Sequence, residues 1–209
     1  MLDAPPAIGN GHSPYPGAVP AGHTLDIAAA ERAVADLLTA IGVPPGSEAA
    51  AGTPRRVAAA LAELLTPPDS GFTLFPNTGQ HDLVIVRGVP FTSLCAHHLL
   101  PFTGTASVGY LPGDHIAGLS KLARVVGTAA AGLRLQEDMG QQIASFLEES
   151  LDCAGAGVLL AAEHRCVTAR GARAHGSDTV TLALRGALRE DPARRAEFLM
   201  LAAPAGGLR

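Results

Sequence analysis

Apolar residues recur at helical spacing in the first third of the chain. A first helix is predicted from the positions Ile27, Val34, Leu37, Leu38 and Ile41. Gly42 and the two prolines that follow it end this helix. A second helix is predicted with Thr53 as its N-cap and Pro54 in its first turn, and residues 67–68, both proline, stop it. Residues 69–80 are predicted to form a loop.

From residue 83 onwards, short β-branched runs replace the helical pattern. Strands are predicted at residues 83–86, 104–110, 158–160 and 179–184. Between and after them, helices are predicted from a Ser120 cap, over residues 135–151, and from an Asp191 cap followed by Pro192. Because helices and strands mix without the regular alternation of βαβ units, the pattern predicts an α+β fold with a mainly antiparallel sheet.

The distribution of proline and glycine divides the chain of 209 residues into three parts. Residues 1–22 are rich in both and show no periodicity, so we expect a disordered tail there. Residues 23–68 form the N-terminal helical segment, and residues 69–209 form the main domain. The chain is long enough to bury a sizeable hydrophobic core.

Composition excludes several classes of protein. Fifteen basic and nineteen acidic residues give a net charge of −4, which argues against a general nucleic-acid binder. No apolar run approaches the roughly 18 residues that cross a membrane, and the N-terminus lacks the order of a signal peptide. Three cysteines are too few for a disulfide scaffold, so we expect a cytoplasmic protein. Fourteen of the basic residues are arginine, and Lys121 is the one lysine.

A candidate metal site begins at Cys95-Ala96-His97-His98. The two-residue gap between Cys95 and His98 allows both side chains to bind one metal ion, and Cys166 is the candidate third ligand. Three protein ligands leave one coordination position open, as in catalytic zinc sites. The alternative is that a Cys-x-x-His pair arose by chance and that the cysteines belong to the core. Cys153 has no histidine nearby and is interpreted as a half-buried small residue.

Two further histidines flank the candidate ligands. His97 and His164 are placed to transfer protons near neutral pH, although each could instead be a hydrogen-bonded structural residue. The helix that begins near Ser120 carries Lys121 and Arg124, and Arg170 follows Cys166. A helix N-terminus with added cations suits a phosphate group, whereas the alternative is ordinary solvent-exposed charge.

A glutamate at the start of the helix at residues 135–151 is a candidate for base recognition. The Glu137 carboxylate follows Gln136. It can accept two hydrogen bonds from the edge of a guanine, or it can simply complement the helix dipole.

Taken together, these motifs resemble GTP cyclohydrolase I over roughly residues 25–203. The resemblance rests on ordered blocks at residues 53–58, 93–102, 109–112, 118–126, 135–137, 164–166, 169–171, 189–192 and 197–199. It implies the tunnelling fold, with helices packed on one side of an antiparallel sheet. It further implies that sheets of several subunits close into a barrel, in a homo-oligomer that is typically a decamer, with the sites between subunits.

The resemblance also implies an activity and a set of site residues. GTP would be hydrolysed at C8 of the guanine, lose formate and recyclise to 7,8-dihydroneopterin triphosphate, which supplies pterin and tetrahydrofolate biosynthesis and one-carbon metabolism. Zn²⁺ would bind Cys95, His98 and Cys166, and protons would pass through His97 and His164. Glu137 and the backbone of Gln136 would bind guanine. The ribose and triphosphate would be held by Ser120, Lys121, Arg124 and Arg170.

Three positions depart from the family pattern. Ala96 replaces the glutamate of the motif Cys-Glu-His-His, residues 131–132 are Ala-Gly where many members have two arginines, and Asp138 replaces an arginine. These changes make the site region less basic. Three alternatives therefore stay open: a specialised paralogue that stops at a ring-opened intermediate or uses a modified purine nucleotide, a catalytically silent regulatory oligomer, and an unrelated fold with a structural zinc site.

Overall fold

The computed structural model describes residues 25–68 and 71–203. Within these residues the chain forms two compact units that divide between Thr66 and Pro67. The tail predicted at residues 1–22 lies outside the described residues. No helix in the described part of the chain has both the length and the apolar character needed to cross a membrane.

The first unit contains helices α1 (Ile27–Ala40) and α2 (Glu48–Leu65). Asp26 caps α1 by accepting a hydrogen bond from the Ala29 N–H at 2.8 Å, and the prediction of this helix is confirmed. The predicted N-cap of α2 was wrong. Ser47 caps the helix instead, at 3.1 Å from the Ala50 nitrogen, because a glutamate and alanines of high helix propensity directly follow it. Pro54 consequently lies inside the helix and is buried.

The second unit contains seven strands and five helices among the described residues. They are β1 (Leu74–Pro76), β2 (Val84–Cys95), β3 (Pro101–Leu111), β4 (His115–Ala117), α3 (Leu119–Ala130), β5 (Leu133–Arg134), α4 (Gln136–Leu151), β6 (Gly155–His164), α5 (Arg165–Thr168), β7 (Thr179–Leu184), α6 (Ala187–Glu190) and α7 (Pro192–Ala202). Five strands form one sheet in the order β5-β2-β3-β6-β7, and only the short β5–β2 pair is parallel. The predicted α+β fold with a mainly antiparallel sheet is confirmed.

Side chains of successive strand residues point to opposite faces of the sheet. Val108, Val158 and Leu160 face the main core, which α3 and α4 cover with residues such as Val125 and Ile143. On the opposite face, α6 and α7 contribute a smaller cluster around Leu188 and Phe198. The C-terminal helices therefore cover part of the second face, in addition to the layer of helices expected on one side.

Three local predictions in this unit differ from the structure. Residues 69–80 contain β1, which exists because it pairs with β4 at Phe75 and Ile116, a contact that no local pattern reveals. The strand predicted at residues 83–86 continues to Cys95 through a bulge between Val86 and Val89. Helix α3 begins at Leu119 with Gly118 as its N-cap and no side-chain capping bond, so the predicted Ser120 cap was wrong.

Replacing Gly104 by alanine is expected to destabilise the protein by at least about 3 kcal/mol, because the new methyl group would have to displace a neighbouring strand. Gly104 pairs with Ala162 of β6, and a Cβ at this position would overlap the Ala161 carbonyl oxygen. Urea unfolding measures the change. Gly140→Ala in α4 is the control, since its Cβ would lie at an ordinary 3.5 Å from the Ala183 Cβ. Equal stability of the two variants would contradict the close β3–β6 pairing.

Candidate active site

The C-terminal ends of β2 and β6 lie at the same end of the sheet. Both strands pair antiparallel with β3, so they run in the same direction, and Ser93 and His164 both lie opposite Phe102. Cys95 follows Ser93 by two residues, and Cys166 follows His164 by two residues. The register of β3 therefore places the two candidate thiol ligands at the same end of the sheet.

A tight turn after β2 adds the histidine ligand. The N–H groups of His98 and Leu99 both donate to the Cys95 carbonyl, and Leu99 adopts a left-handed φ of 55°. This turn leaves the Nδ1 of His98 3.6 Å from the Sγ of Cys95. The ligand atoms of Cys95, His98 and Cys166 all lie within 4.8 Å of one another.

The three side chains fit a zinc ion. With Zn–S and Zn–N bonds of about 2.3 and 2.05 Å, a tetrahedral site requires an S···N separation of about 3.6 Å, which the Cys95–His98 pair has. Burial, together with the adjacent Cys95 thiol, raises the pKa of Cys166, and the charge of Arg170 opposes this effect. Two neighbouring thiols resist joint ionisation in the absence of a cation, and a bound divalent cation removes that resistance.

The third cysteine lies apart from this group. The Cys153 thiol donates to the Gly155 carbonyl at 3.4 Å and to the Leu147 carbonyl at 3.7 Å. Burial raises its pKa to about 11, so it carries almost no thiolate near neutral pH. Cys153 therefore offers a matched control for changes at Cys166.

A hydrogen bond between Thr168 and Glu163 anchors the short helix α5, which carries Cys166. The hydroxyl of Thr168, which is 2% exposed, donates to Glu163 Oε1 at 2.8 Å and approaches the His164 carbonyl at 3.3 Å. Glu163 also accepts a bond from Arg165 at 2.8 Å. These bonds fix α5 to the end of β6, and no local sequence pattern predicts them.

His164 lies between an aromatic ring and a buried amide. Its ring stacks on Phe102 with a centroid separation of 4.5 Å and an interplanar angle of 6°. Its Nε2 lies 2.7 Å from Oε1 of Gln136. Burial lowers the pKa of His164, and the Glu137 carboxylate acts in the opposite direction. Glu137 itself is exposed at the start of α4.

The side chain of Gln136 is the site residue that sequence reasoning missed, since only its backbone was considered. It is 1% exposed, and its Nε2 donates to the Thr179 carbonyl at 2.9 Å and to the Leu160 carbonyl at 3.3 Å. A signal was available in the sequence. Gln136 continues the buried stripe of α4 formed by Met139, Gly140 and Ile143, and a polar residue in such a stripe requires buried partners.

Comparison with known proteins decides the family. The model of the GTP cyclohydrolase I family matches residues 30–203. The chain belongs to the GTP cyclohydrolase I family. This confirms the resemblance and, with it, the tunnelling fold of the chain, whereas closure into an oligomeric barrel stays a prediction.

Proteins named GTP cyclohydrolase 1 resemble the chain over most of its length. The protein of Dehalococcoides mccartyi is 42% identical over 183 residues, covering 85% of this chain and 97% of the relative. That of Streptococcus thermophilus is 44% identical over 176 residues, covering 82% and 94%, and that of Mycobacteroides abscessus is 42% identical over 198 residues, covering 92% and 94%. Among solved structures, an apo archaeosine synthase QueF-Like matches with 14% identity and a TM-score of 0.42, over 51% of this chain and 95% of that one.

The residues that the GTP cyclohydrolase I family pattern assigns to ribose and triphosphate divide into two groups. Arg170 is close enough to Cys166 to affect its pKa, whereas Ser120, Lys121 and Arg124 lie in the first half of α3. The C-terminal end of α3 is followed by β5, which pairs with Cys95. The roles of Ser120, Lys121, Arg124 and Arg170 in binding ribose and triphosphate stay predictions.

The Lys121 side chain lies close to two glycines. Its Cγ passes over Gly118, where an added Cβ would be 3.4 Å away, and its ammonium lies 3.9 Å from a Cβ position built on Gly71. His97 is exposed beside His98, with a ring separation of 6.1 Å.

An arginine lies beside two of the positions that depart from the family pattern. The Ala96 N–H donates to the Arg134 carbonyl at 3.1 Å. The guanidinium of Arg134 donates twice to the Ala131 carbonyl, at 2.9 and 3.1 Å, and lies 3.3 Å from a Cβ built on Gly132. Burial lowers the pKa of this arginine. A half-buried cation thus occupies the space next to Gly132.

Thr168→Val is expected to weaken zinc binding by about 10- to 100-fold, because α5 would lose the bond that holds Cys166 in place. Competition with a chelator measures the affinity. Thr92→Val serves as the control, since its hydroxyl makes only an exposed contact with Thr103 at 3.3 Å. If the two variants bind zinc equally, the Thr168–Glu163 bond does not support the metal ligands.

Proposed function

We propose that this chain is a zinc-dependent GTP cyclohydrolase I. It hydrolyses GTP at C8 of the guanine, releases formate and forms 7,8-dihydroneopterin triphosphate. The proposal rests mainly on one observation: Cys95, His98 and Cys166 converge at one end of the sheet, where β6 also ends at His164. Family membership supports the choice of substrate.

Cys95, His98 and Cys166 would hold the metal through two sulfur atoms and one imidazole nitrogen. When bound, zinc supplies Lewis acidity at neutral pH, which hydrolysis of a ring C–N bond requires. The turn at Leu99 and the pairing of β2, β3 and β6 fix the positions of these ligands before the metal arrives. Such preorganisation limits the conformational entropy lost on metal binding.

Proton transfer is the proposed task of His164 and His97. Opening of the imidazole ring requires a proton on the departing nitrogen, and rearrangement of the ribose requires proton removal from carbon and its return. His164 is fixed by Phe102 and Gln136, within two residues of Cys166. His97 is exposed and lies between the ligands Cys95 and His98 in the sequence.

Substrate recognition would use residues near the N-terminal ends of α3 and α4. The exposed Glu137 carboxylate, together with the Gln136 backbone, would bind the guanine edge, and Arg170 would approach the phosphates from beside Cys166. Ser120, Lys121 and Arg124 would bind the ribose and triphosphate. Following the family resemblance, we propose that these sites form between subunits of a homo-oligomer, with a decamer as the expected assembly.

The proposed setting is the cytoplasm. Free thiols at Cys95, Cys153 and Cys166 agree with a reducing compartment, in which thiolate metal sites persist. The product would supply pterin and tetrahydrofolate biosynthesis.

Incubation of the purified protein with GTP and zinc tests the function. We expect a fluorescent pterin after oxidation, with formate released in equal amount. Cys166→Ser should abolish turnover and weaken zinc binding by at least roughly 100-fold, since loss of a ligand exceeds the effect of losing a ligand's support. Cys153→Ser should retain one zinc per chain. Full, tight zinc binding by Cys166→Ser would overturn the ligand assignment.

The same assay separates the alternatives. Formate or a formamidopyrimidine without pterin would indicate a specialised paralogue that stops early. No turnover by a protein with one zinc per chain would indicate a silent regulatory oligomer.

Restoring the carboxylate at position 96 tests the main departure from the family pattern. Ala96→Glu is expected to raise kcat/KM for GTP by about 10-fold, because a carboxylate between a ligand and a catalytic histidine can orient its neighbours. Zinc content should stay the same, since Ala96 is not a ligand. Ala49→Glu, on the exposed surface of α2, controls for added charge. Unchanged kcat/KM in Ala96→Glu would show that this position does not limit the reaction.

A further inference from the structure

We infer that the side-chain amide of Gln136 is a positioning residue that holds His164 in the Nε2–H tautomer and leaves Nδ1 as the nitrogen that exchanges protons with the substrate. The part that concerns the substrate rests on the proposed function. The tautomer itself rests only on the hydrogen bonds around Gln136.

The orientation of the amide follows from its partners. One end of the Gln136 amide faces the backbone carbonyls of Leu160 and Thr179 at 3.3 and 2.9 Å. Carbonyl oxygens only accept hydrogen bonds, so the NH₂ group must be at this end. The Thr181 hydroxyl, 3.2 Å from the same nitrogen, can rotate to accept as well. The amide oxygen is therefore the atom that faces His164.

The tautomer of His164 follows from that orientation. The Gln136 Oε1 can only accept a hydrogen bond, and it lies 2.7 Å from Nε2 of His164. Nε2 must then carry the hydrogen, and the lone pair of the neutral ring is on Nδ1. A buried carboxylate fixes the histidine of a serine protease in the same manner, whereas here the acceptor is a neutral amide.

Phe102 completes the constraint on the ring. It stacks on His164 nearly in parallel, at an interplanar angle of 6°, so it restricts tilting of the imidazole. The amide restricts rotation about the bond to the ring, because a flip would replace Nε2–H by a carbon at the oxygen. Strand β3 and helix α4 thus fix the histidine from two directions.

The burial of Gln136 indicates that its amide is stable at this position only because of the hydrogen bonds it makes. Gln136 is 1% exposed within the apolar stripe of α4, where an unpaired amide would cost about 1–3 kcal/mol. An apolar side chain of similar length would fill the same space. Only the amide offers an acceptor to His164 and two donors to the carbonyls on the neighbouring strands.

The tautomer can be measured without any assumption about activity. Solid-state ¹⁵N NMR of the zinc-loaded protein, labelled at histidine, distinguishes protonated from unprotonated ring nitrogens, and His164→Asn identifies the signals of this residue. We expect a protonated Nε2 and an unprotonated Nδ1 in the wild-type protein. Protonation at Nδ1 of the neutral ring would overturn the inference.

Gln136→Met tests the consequence for turnover. This change keeps the length of the side chain and removes the acceptor, so His164 should sample both tautomers. We expect kcat for GTP to fall by roughly 10- to 100-fold, part of the contribution of a general acid–base group, with KM within about 2-fold and one zinc per chain. Gln142→Met is the matched control on α4, because the buried Oε1 of Gln142 has no hydrogen-bond partner among the described residues.

The remaining outcomes assign other roles to the amide. A raised KM at constant kcat would mean that the side chain binds substrate, and loss of zinc or of thermal stability together with kcat would mean that it is structural. Either result overturns the inference. If the wild-type protein does not convert GTP, the proposed function fails, while the ¹⁵N measurement still decides the tautomer.

Discussion

The register of β3 against its two neighbours is the constraint on which the rest of the site depends. Phe102 lies opposite both Ser93 and His164, so a single strand aligns the ends of β2 and β6. A slip of one residue would turn every side chain of a strand to the other face of the sheet. Cys95 and Cys166 would then no longer meet, and His164 would lose its stacking partner. The alternation of apolar residues that fills the core therefore also fixes the positions of the candidate ligands and of His164 at the end of the sheet.

Buried polar side chains near the three candidate ligands form specific hydrogen bonds. Thr168, which shares helix α5 with Cys166, bonds to Glu163, and Gln136 joins His164 to the carbonyls of β6 and of Thr179 on β7. Buried polar groups rigidify a structure only when all of them are satisfied. Here they connect helix α4, helix α5 and the sheet, so the positions of the ligands and of His164 are coupled.

Charge is distributed unevenly along α3. Lys121 and Arg124 lie in its first half, whereas β5, which follows its C-terminal end, pairs with Cys95. In the proposed assembly, Lys121 and Arg124 of one subunit would complete the metal site of another subunit. In a protein with a net charge of −4, a polyanionic substrate requires local concentration of the few cations. Arg134 beside Gly132 is one cation whose position could not be read from composition.

The sequence by itself determined the family, the candidate ligands and the elements whose signals are local. Asp191 and Pro192 begin α7 as predicted, and β7 has the predicted bounds, because caps, prolines and β-branched runs act over a few residues. Tertiary structure decided the rest. Strands β1 and β4 exist through pairing with each other. The cap of α2 is a different case, because Ser47 replaces the predicted Thr53 through residues that directly follow it in the sequence. The role of the Gln136 side chain depends on Leu160, Thr179 and His164, which are distant in sequence and meet only when the sheet and α4 pack together.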